Sequence, residues 1–132
     1  MAYFDNPSTV LRFVSRMTFE PPIGVGTREL LAQAMADTGE EWIVVCAPVL
    51  TRDWQEKISR VVGTKPQPVH FLSETRIAHS RRPTRALDPV FMNPDTNVLV
   101  DCANCMRSDY RGVVWHALNT FLLNRRRVWI RK

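Results

Sequence analysis

The sequence predicts an α/β domain with a mainly parallel sheet of about five strands flanked by helices. Three observations carry that prediction. The apolar runs Trp42-Ile43-Val44-Val45-Cys46-Ala47 and Asn97-Val98-Leu99-Val100-Asp101-Cys102 are continuous rather than alternating, as expected of strands covered on both faces. Strand-like and helix-like patterns alternate from Thr18 onward, which fits parallel strands joined by right-handed crossovers. With 132 residues, 45% of them hydrophobic, there is material for one ordinary core and not two, so 1–132 reads as a single domain.

Element by element, Asn6-Pro7-Ser8 supplies a cap and a proline suited to a first helical turn, and Val10, Leu11, Val14 and Met17 follow at helical spacing, predicting a helix over about 7–16. A short strand is expected at Arg16–Glu20, stopped by Pro21-Pro22. Gly24 and Gly26 then lead into a helix with apolar side Leu30, Leu31, Ala34 and Met35, closed by Gly39. After the strand at 42–47, Thr51 is expected to cap a helix striped by Trp54, Ile58, Val61 and Val62 and ended by Gly63. Pro68–Leu72 reads as a third strand. The polar, proline-containing stretch 73–95 lacks periodicity and is expected to be mostly a long basic loop. Beyond the strand at 97–102, Ser108 is expected to cap a helix carrying Val114, Leu118, Phe121 and Leu122, and Val128-Trp129-Ile130 forms the last strand.

Composition removes several function classes. No apolar run approaches the roughly 20 residues of a membrane-crossing helix, and the N-terminus lacks the basic-then-apolar layout of a signal peptide, so no membrane partner and a cytoplasmic location, the host-cell cytoplasm included, are expected. Three cysteines, Cys46, Cys102 and Cys105, are an odd number without a secretory signal, which predicts reduced thiols. The formal net charge of +5 is unevenly spread: Arg76, Arg81, Arg82 and Arg85 form one cluster, and Arg125, Arg126 and Arg127, with Arg131 and Lys132, form another. Such clusters suit phosphate contacts, making these arginines the candidate nucleic-acid-binding residues; a solvated basic face or an acidic protein partner would use the same charge.

In a domain of this order, ligands bind at the carboxyl ends of the strands. Three features fall there: the glycine loop Gly24-Val25-Gly26-Thr27-Arg28, the strand end Cys46-Ala47-Pro48, and Asp101. In that order they resemble the phosphate loop, the following strand with its APT-type motif (here Ala47-Pro48 with Thr51-Arg52) and the Walker B strand (Val98-Leu99-Val100-Asp101) of P-loop NTPases, specifically the RecA-like lobe of helicase-type and terminase-type ATPases. The resemblance covers Thr18 to Lys132 and implies a three-layer fold, a nucleotide or phosphate site at Gly24, Gly26, Thr27, Arg28 and Asp101, and a role around nucleic acid, of viral or phage origin.

The departures from that pattern decide the functional expectation. A working loop places lysine and then Ser/Thr after its last glycine, for the β- and γ-phosphates and for Mg²⁺. Here those positions hold Thr27 and Arg28, and the glutamate expected after Asp101 is Cys102. Arginine is no direct replacement for that lysine, although backbone amides at a helix start still attract anions. The expectation is therefore a catalytically degenerate domain with no catalytic residues and no obligatory cofactor, acting as a nucleic-acid-associated or assembly module with a protein partner or in a homo-oligomer. The alternative is a subunit that binds ATP and Mg²⁺ weakly and is completed in trans by a second lobe or neighbour. A further alternative is redox or zinc chemistry: Cys102-Ala103-Asn104-Cys105 has disulfide-exchange spacing, and Cys46 with His70, His79 or His116 would complete a Cys₃His set. Against it, the thioredoxin-type tryptophan is missing and no second close-spaced pair exists, so buried inert thiols and no metal are expected.

Overall fold

The computed structural model describes residues 16–19, 27–63, 68–80, 86–101, 112–123 and 125–131. Its elements in chain order are β1 (Arg16–Phe19), α1 (Thr27–Thr38), β2 (Trp42–Cys46), a 3₁₀ turn (Pro48–Leu50), α2 (Thr51–Val62), β3 (Val69–Leu72), α3 (Glu74–His79), α4 (Pro89–Met92), β4 (Asn97–Asp101), α5 (Gly112–Leu122) and β5 (Val128–Arg131). The expected helix at 7–16 falls, up to residue 15, outside the described residues, as do Gly24, Gly26, Arg81, Arg82, Arg85, Cys102, Cys105 and Ser108.

The strands pair in the order β1-β5-β4-β2-β3, every pair parallel. The two continuous apolar runs, β2 and β4, lie side by side in the sheet and are buried at every position. Period-2 alternation divides their side chains between two layers. Ile43, Val45, Val98, Val100, Val128 and Ile130 face α3 and α5, where Ile77, Leu118 and Leu122 meet them. Trp42, Val44, Cys46, Leu99 and Trp129 face α1 and α2, where Leu31, Ala32, Met35, Trp54 and Ile58 meet them. The result is a three-layer α/β/α domain. The chain crosses the sheet one way with α1 and α2 on one face and returns with α3, α4 and α5 on the other, which keeps the crossovers in one hand.

The structure differs in detail from three expectations. Of the expected apolar side of α1, Leu31 and Met35 are buried and Ala34 packs against the core, but Leu30 is exposed; the buried positions are Leu31, Ala32 and Met35. These positions continue the helical i, i+3, i+4, i+7 stripe that starts at Arg28, and the small Ala32 lets the helix lie close to the sheet. Thr51 is the first residue of α2 rather than its cap: the 3₁₀ turn feeds the helix directly, and the cap residue Leu50 is already helical in backbone angle. The stretch 73–95, expected to be mostly a long loop, contains two short helices, α3 and α4, among its described residues. Ser73 caps α3, accepting from the Arg76 amide at 3.1 Å, and Pro89 opens α4. Helices this short contain too little sequence to display a period.

The glycine stops are as expected. Gly39 ends α1 and Gly63 ends α2 with φ of +64° and +61°, in the left-handed region that side chains with a Cβ rarely adopt. Among the described residues no helix is long and apolar enough to cross a membrane.

Candidate functional site

The parallel register aligns Cys46, Asp101, Arg131 and Phe19 in one row across the carboxyl ends of β2, β4, β5 and β1. This is the edge at which ligands bind in open parallel sheets, and the connections leaving β2 and β4 go to opposite faces of the sheet here. Alternation along β4 turns Asp101 to the same side as Leu99, toward α1 and α2, and alternation along β5 turns Arg131 to the side of Trp129.

Asp101 is only 3% exposed. A buried carboxylate must find donors, and this one has three. Arg28, at the head of the inward stripe of α1, donates its Nε–H to Oδ2 at 2.8 Å. Trp54, fully buried on α2, donates its indole N–H to the same oxygen at 2.8 Å. Arg131 donates from Nη1 to Oδ1 at 2.7 Å. Arg28 also reaches Asp53 at 3.3 Å, so two guanidinium groups face two carboxylates and the cluster is neutral in sum. From Asp53 the charges continue over the surface between α1 and α2: Lys57 bridges Asp53 and Glu29, and Arg60 bridges Glu29 and Glu56. These outer pairs are solvent-screened and contribute at most about 1 kcal/mol each.

Burial by itself would raise the Asp101 carboxyl, but the hydrogen bonds from Arg28, Arg131 and Trp54 outweigh it and hold its pKa below the ordinary value. Desolvation would likewise lower the Arg28 pKa, yet the hydrogen bond and charge of Asp101, joined by Asp53, raise it. Beside this cluster, Cys46 is buried with Sγ 3.9 Å from Thr51 Oγ1, and burial pushes its thiol up, so it is a poor nucleophile at neutral pH.

Two of the candidate phosphate-site residues, Arg28 and Asp101, are thus brought together, bonded to each other. Thr27 begins α1, and its side chain, like Gly24 and Gly26, lies outside the described residues. Mg²⁺ demands an octahedron of oxygens, whereas the Asp101 carboxylate here already accepts from two guanidinium groups and an indole, so among the described residues the donors around it do not fit that ion. Among the described residues no group of three or more His, Cys, Asp or Glu side chains is placed to hold a metal ion.

Sequence reasoning overlooked Trp54, Asp53 and Arg131 as parts of this site. A signal for Arg131 existed: ending the two strands Val98–Asp101 and Val128–Arg131 at the same level puts an acid beside a base.

The structure gives each arginine of the C-terminal basic cluster partners within the domain. Arg125 is 6% exposed and donates to the carbonyls of Phe121 at 3.1 Å, Asn93 at 2.7 Å and Phe91, with its guanidinium 4.3 Å from the centre of the Phe121 ring. It ties the carboxyl end of α5 to α4 by satisfying carbonyls that helix ends leave open. Arg126 and Arg127 both pair with Glu40, at 3.1 and 2.9 Å. Arg76, in the other cluster, donates to the Ala86 carbonyl at 3.0 Å. His70 lies 3.2 Å from Glu41, while His79 and His116 are exposed.

No protein-family model, curated protein or solved structure matches the chain.

Proposed function

We propose that the chain is a P-loop NTPase-like domain that has exchanged its metal and nucleotide chemistry for an internal ion-pair cluster and works as a nucleotide-independent binding or assembly module. The observation that carries this reading is the engagement of both Asp101 oxygens by Arg28, Arg131 and Trp54. In a working site a carboxylate at this strand end must be free to hold Mg²⁺ through its coordination sphere, and a hydroxyl would occupy the place of Arg28. Converting that place to arginine supplies from within the positive charge that a metal would bring. The site keeps its electrostatic balance without a ligand.

Calorimetric titration with ATP and Mg²⁺, together with a phosphate-release assay, tests it. The expected result is no Mg²⁺-dependent heat and no turnover. Hydrolysis that disappears in Asp101→Asn would overturn the reading and restore the weak ATPase subunit as the better one.

Association with nucleic acid is the second reading, and the internal pairing of Arg125, Arg126 and Arg127 moves its test to the other cluster. Replacing Arg81, Arg82 and Arg85 together by glutamine is expected to weaken single-stranded DNA or RNA binding at least about tenfold and to flatten its salt dependence, whereas Arg126→Gln with Arg127→Gln changes it little. Fluorescence anisotropy across a salt series reads both. Equal losses from the two sets would contradict this division.

A further inference from the structure

On the face of the sheet away from Asp101, a cleft of about 200 Å³ opens between α3, α4 and α5. Ile77, Leu87, Met92, Phe121 and Leu123 give it an apolar lining, and among the described residues Arg125 is the one ionisable side chain in that lining. Met92 and Leu123 are each 62% exposed and rank with Leu30 and Val49 as the large apolar side chains that the described residues leave in water. An apolar wall, an exposed apolar rim and a desolvated cation converge on one place.

Arg125 is unusual in what it lacks. Among the described residues it pairs with no carboxylate; its three acceptors are the neutral carbonyls of Phe121, Asn93 and Phe91. Desolvation alone pulls its pKa down to about 10. A guanidinium carries five N–H donors, and three of these are used, so one N–H on each terminal nitrogen has no acceptor among the described residues. A carboxylate has two acceptor oxygens and can take up N–H groups that the carbonyls leave open. The arginines at the Asp101 cluster and at Glu40 have each met a carboxylate, whereas Arg125 meets none among the described residues.

We propose that the cleft binds a small monocarboxylate with a compact apolar body, the carboxylate meeting Arg125 and the body lying on Phe121, Leu87 and Ile77. The cleft is smaller than the roughly 300–1,000 Å³ typical of drug-sized or nucleotide-sized ligands, which selects a body of about one ring or one branched chain. A ligand carrying charge −1 neutralises the buried cation without adding an excess, which favours a carboxylic acid over a phosphate ester.

Phenylacetate and its uncharged isostere phenylacetamide are the probes, titrated into the full chain by NMR or calorimetry. Saturable phenylacetate binding is expected, with the amide at least about tenfold weaker, since a hydrogen bond to a charged partner is what the amide loses. Thr120 lines the cleft from an exposed position on α5, so Thr120→Trp blocks the space without touching the core or Arg125, and is expected to abolish binding while leaving thermal stability unchanged. Absent saturation, equal affinity for acid and amide, or undiminished binding in folded Thr120→Trp would each overturn the proposal.

Discussion

Asp101→Asn is expected to destabilise the domain by about 3 kcal/mol, a fall in Tm of about 10 °C, while leaving nucleotide turnover at the same blank level. The substitution keeps the volume but puts an amide where Arg28, Arg131 and Trp54 all donate, so two guanidinium groups lose their shared counter-charge. Removing one partner of a buried pair costs about 3–5 kcal/mol, and the lower end applies because both arginines are 26% exposed and can rehydrate in part. Arg28→Met should cost less, about 1–2 kcal/mol, since Arg131 and Trp54 still serve the carboxylate. The acid limb supplies an independent check. The folded Asp101 pKa lies below its unfolded value of 3.8, so its contribution is fully present above that pH and is lost as pH falls through the lower, folded value. The stability gap between the wild type and Asp101→Asn should therefore be constant near neutrality and close below about pH 4. Urea unfolding at several pH values measures it; a gap that persists undiminished to pH 2 would show that the charge of Asp101 is not its source.

Trp54 should separate packing from hydrogen bonding at the same place. Its side chain is fully buried between α2 and the sheet, among Leu31, Met35 and Leu99. Trp54→Ala is expected to cost about 3–5 kcal/mol through lost burial and the cavity left behind. Trp54→Phe retains most of the ring contact but removes the donor to Asp101 Oδ2, and should cost about 1.5–3 kcal/mol. In the Asp101→Asn background the Trp54→Phe penalty should shrink, because the charge that strengthened the bond is gone. Additive losses in that double-mutant cycle would mean that Trp54 acts by packing alone.

What could be read from the sequence follows from how far each signal reaches. The apolar runs of β2 and β4 gave away the doubly covered sheet because burial on both faces leaves an unbroken hydrophobic string, and Gly39 and Gly63 marked helix ends because their backbone angles restrict the residue type. Signals spanning one turn were weaker: the α3 cap at Ser73 is a single serine in a polar stretch, and α4 is one turn of helix. The site was half legible. Asp101 and Arg28 stood out by comparison with a familiar pattern, but that comparison framed Arg28 as a missing hydroxyl rather than as a partner for the acid. Arg131 was grouped with its basic neighbours in sequence, whereas the strand places it beside a carboxylate 30 positions away. Arg125, Arg126 and Arg127 were likewise grouped by position: charge clustering along a chain is visible in one dimension, while the carbonyls of Phe91 and Asn93 and the carboxylate of Glu40 that these arginines meet come from elsewhere.

The strand order has a consequence for how the domain can assemble on the ribosome. β5 follows the other described strands in the chain, yet it lies inside the sheet, hydrogen-bonded to β1 on one side and β4 on the other. Among the described strands β1 pairs with β5 alone, so β1 waits for β5 before that backbone pairing can form. Until then the edge of β4, with Val98, Leu99 and Val100 at its centre, is open and Asp101 lacks Arg131. Folding during synthesis can therefore proceed through β2, β3 and β4 but cannot close, and the nascent domain carries a sticky edge until β5 emerges, the interval in which a chaperone or a neighbouring copy would have access to it.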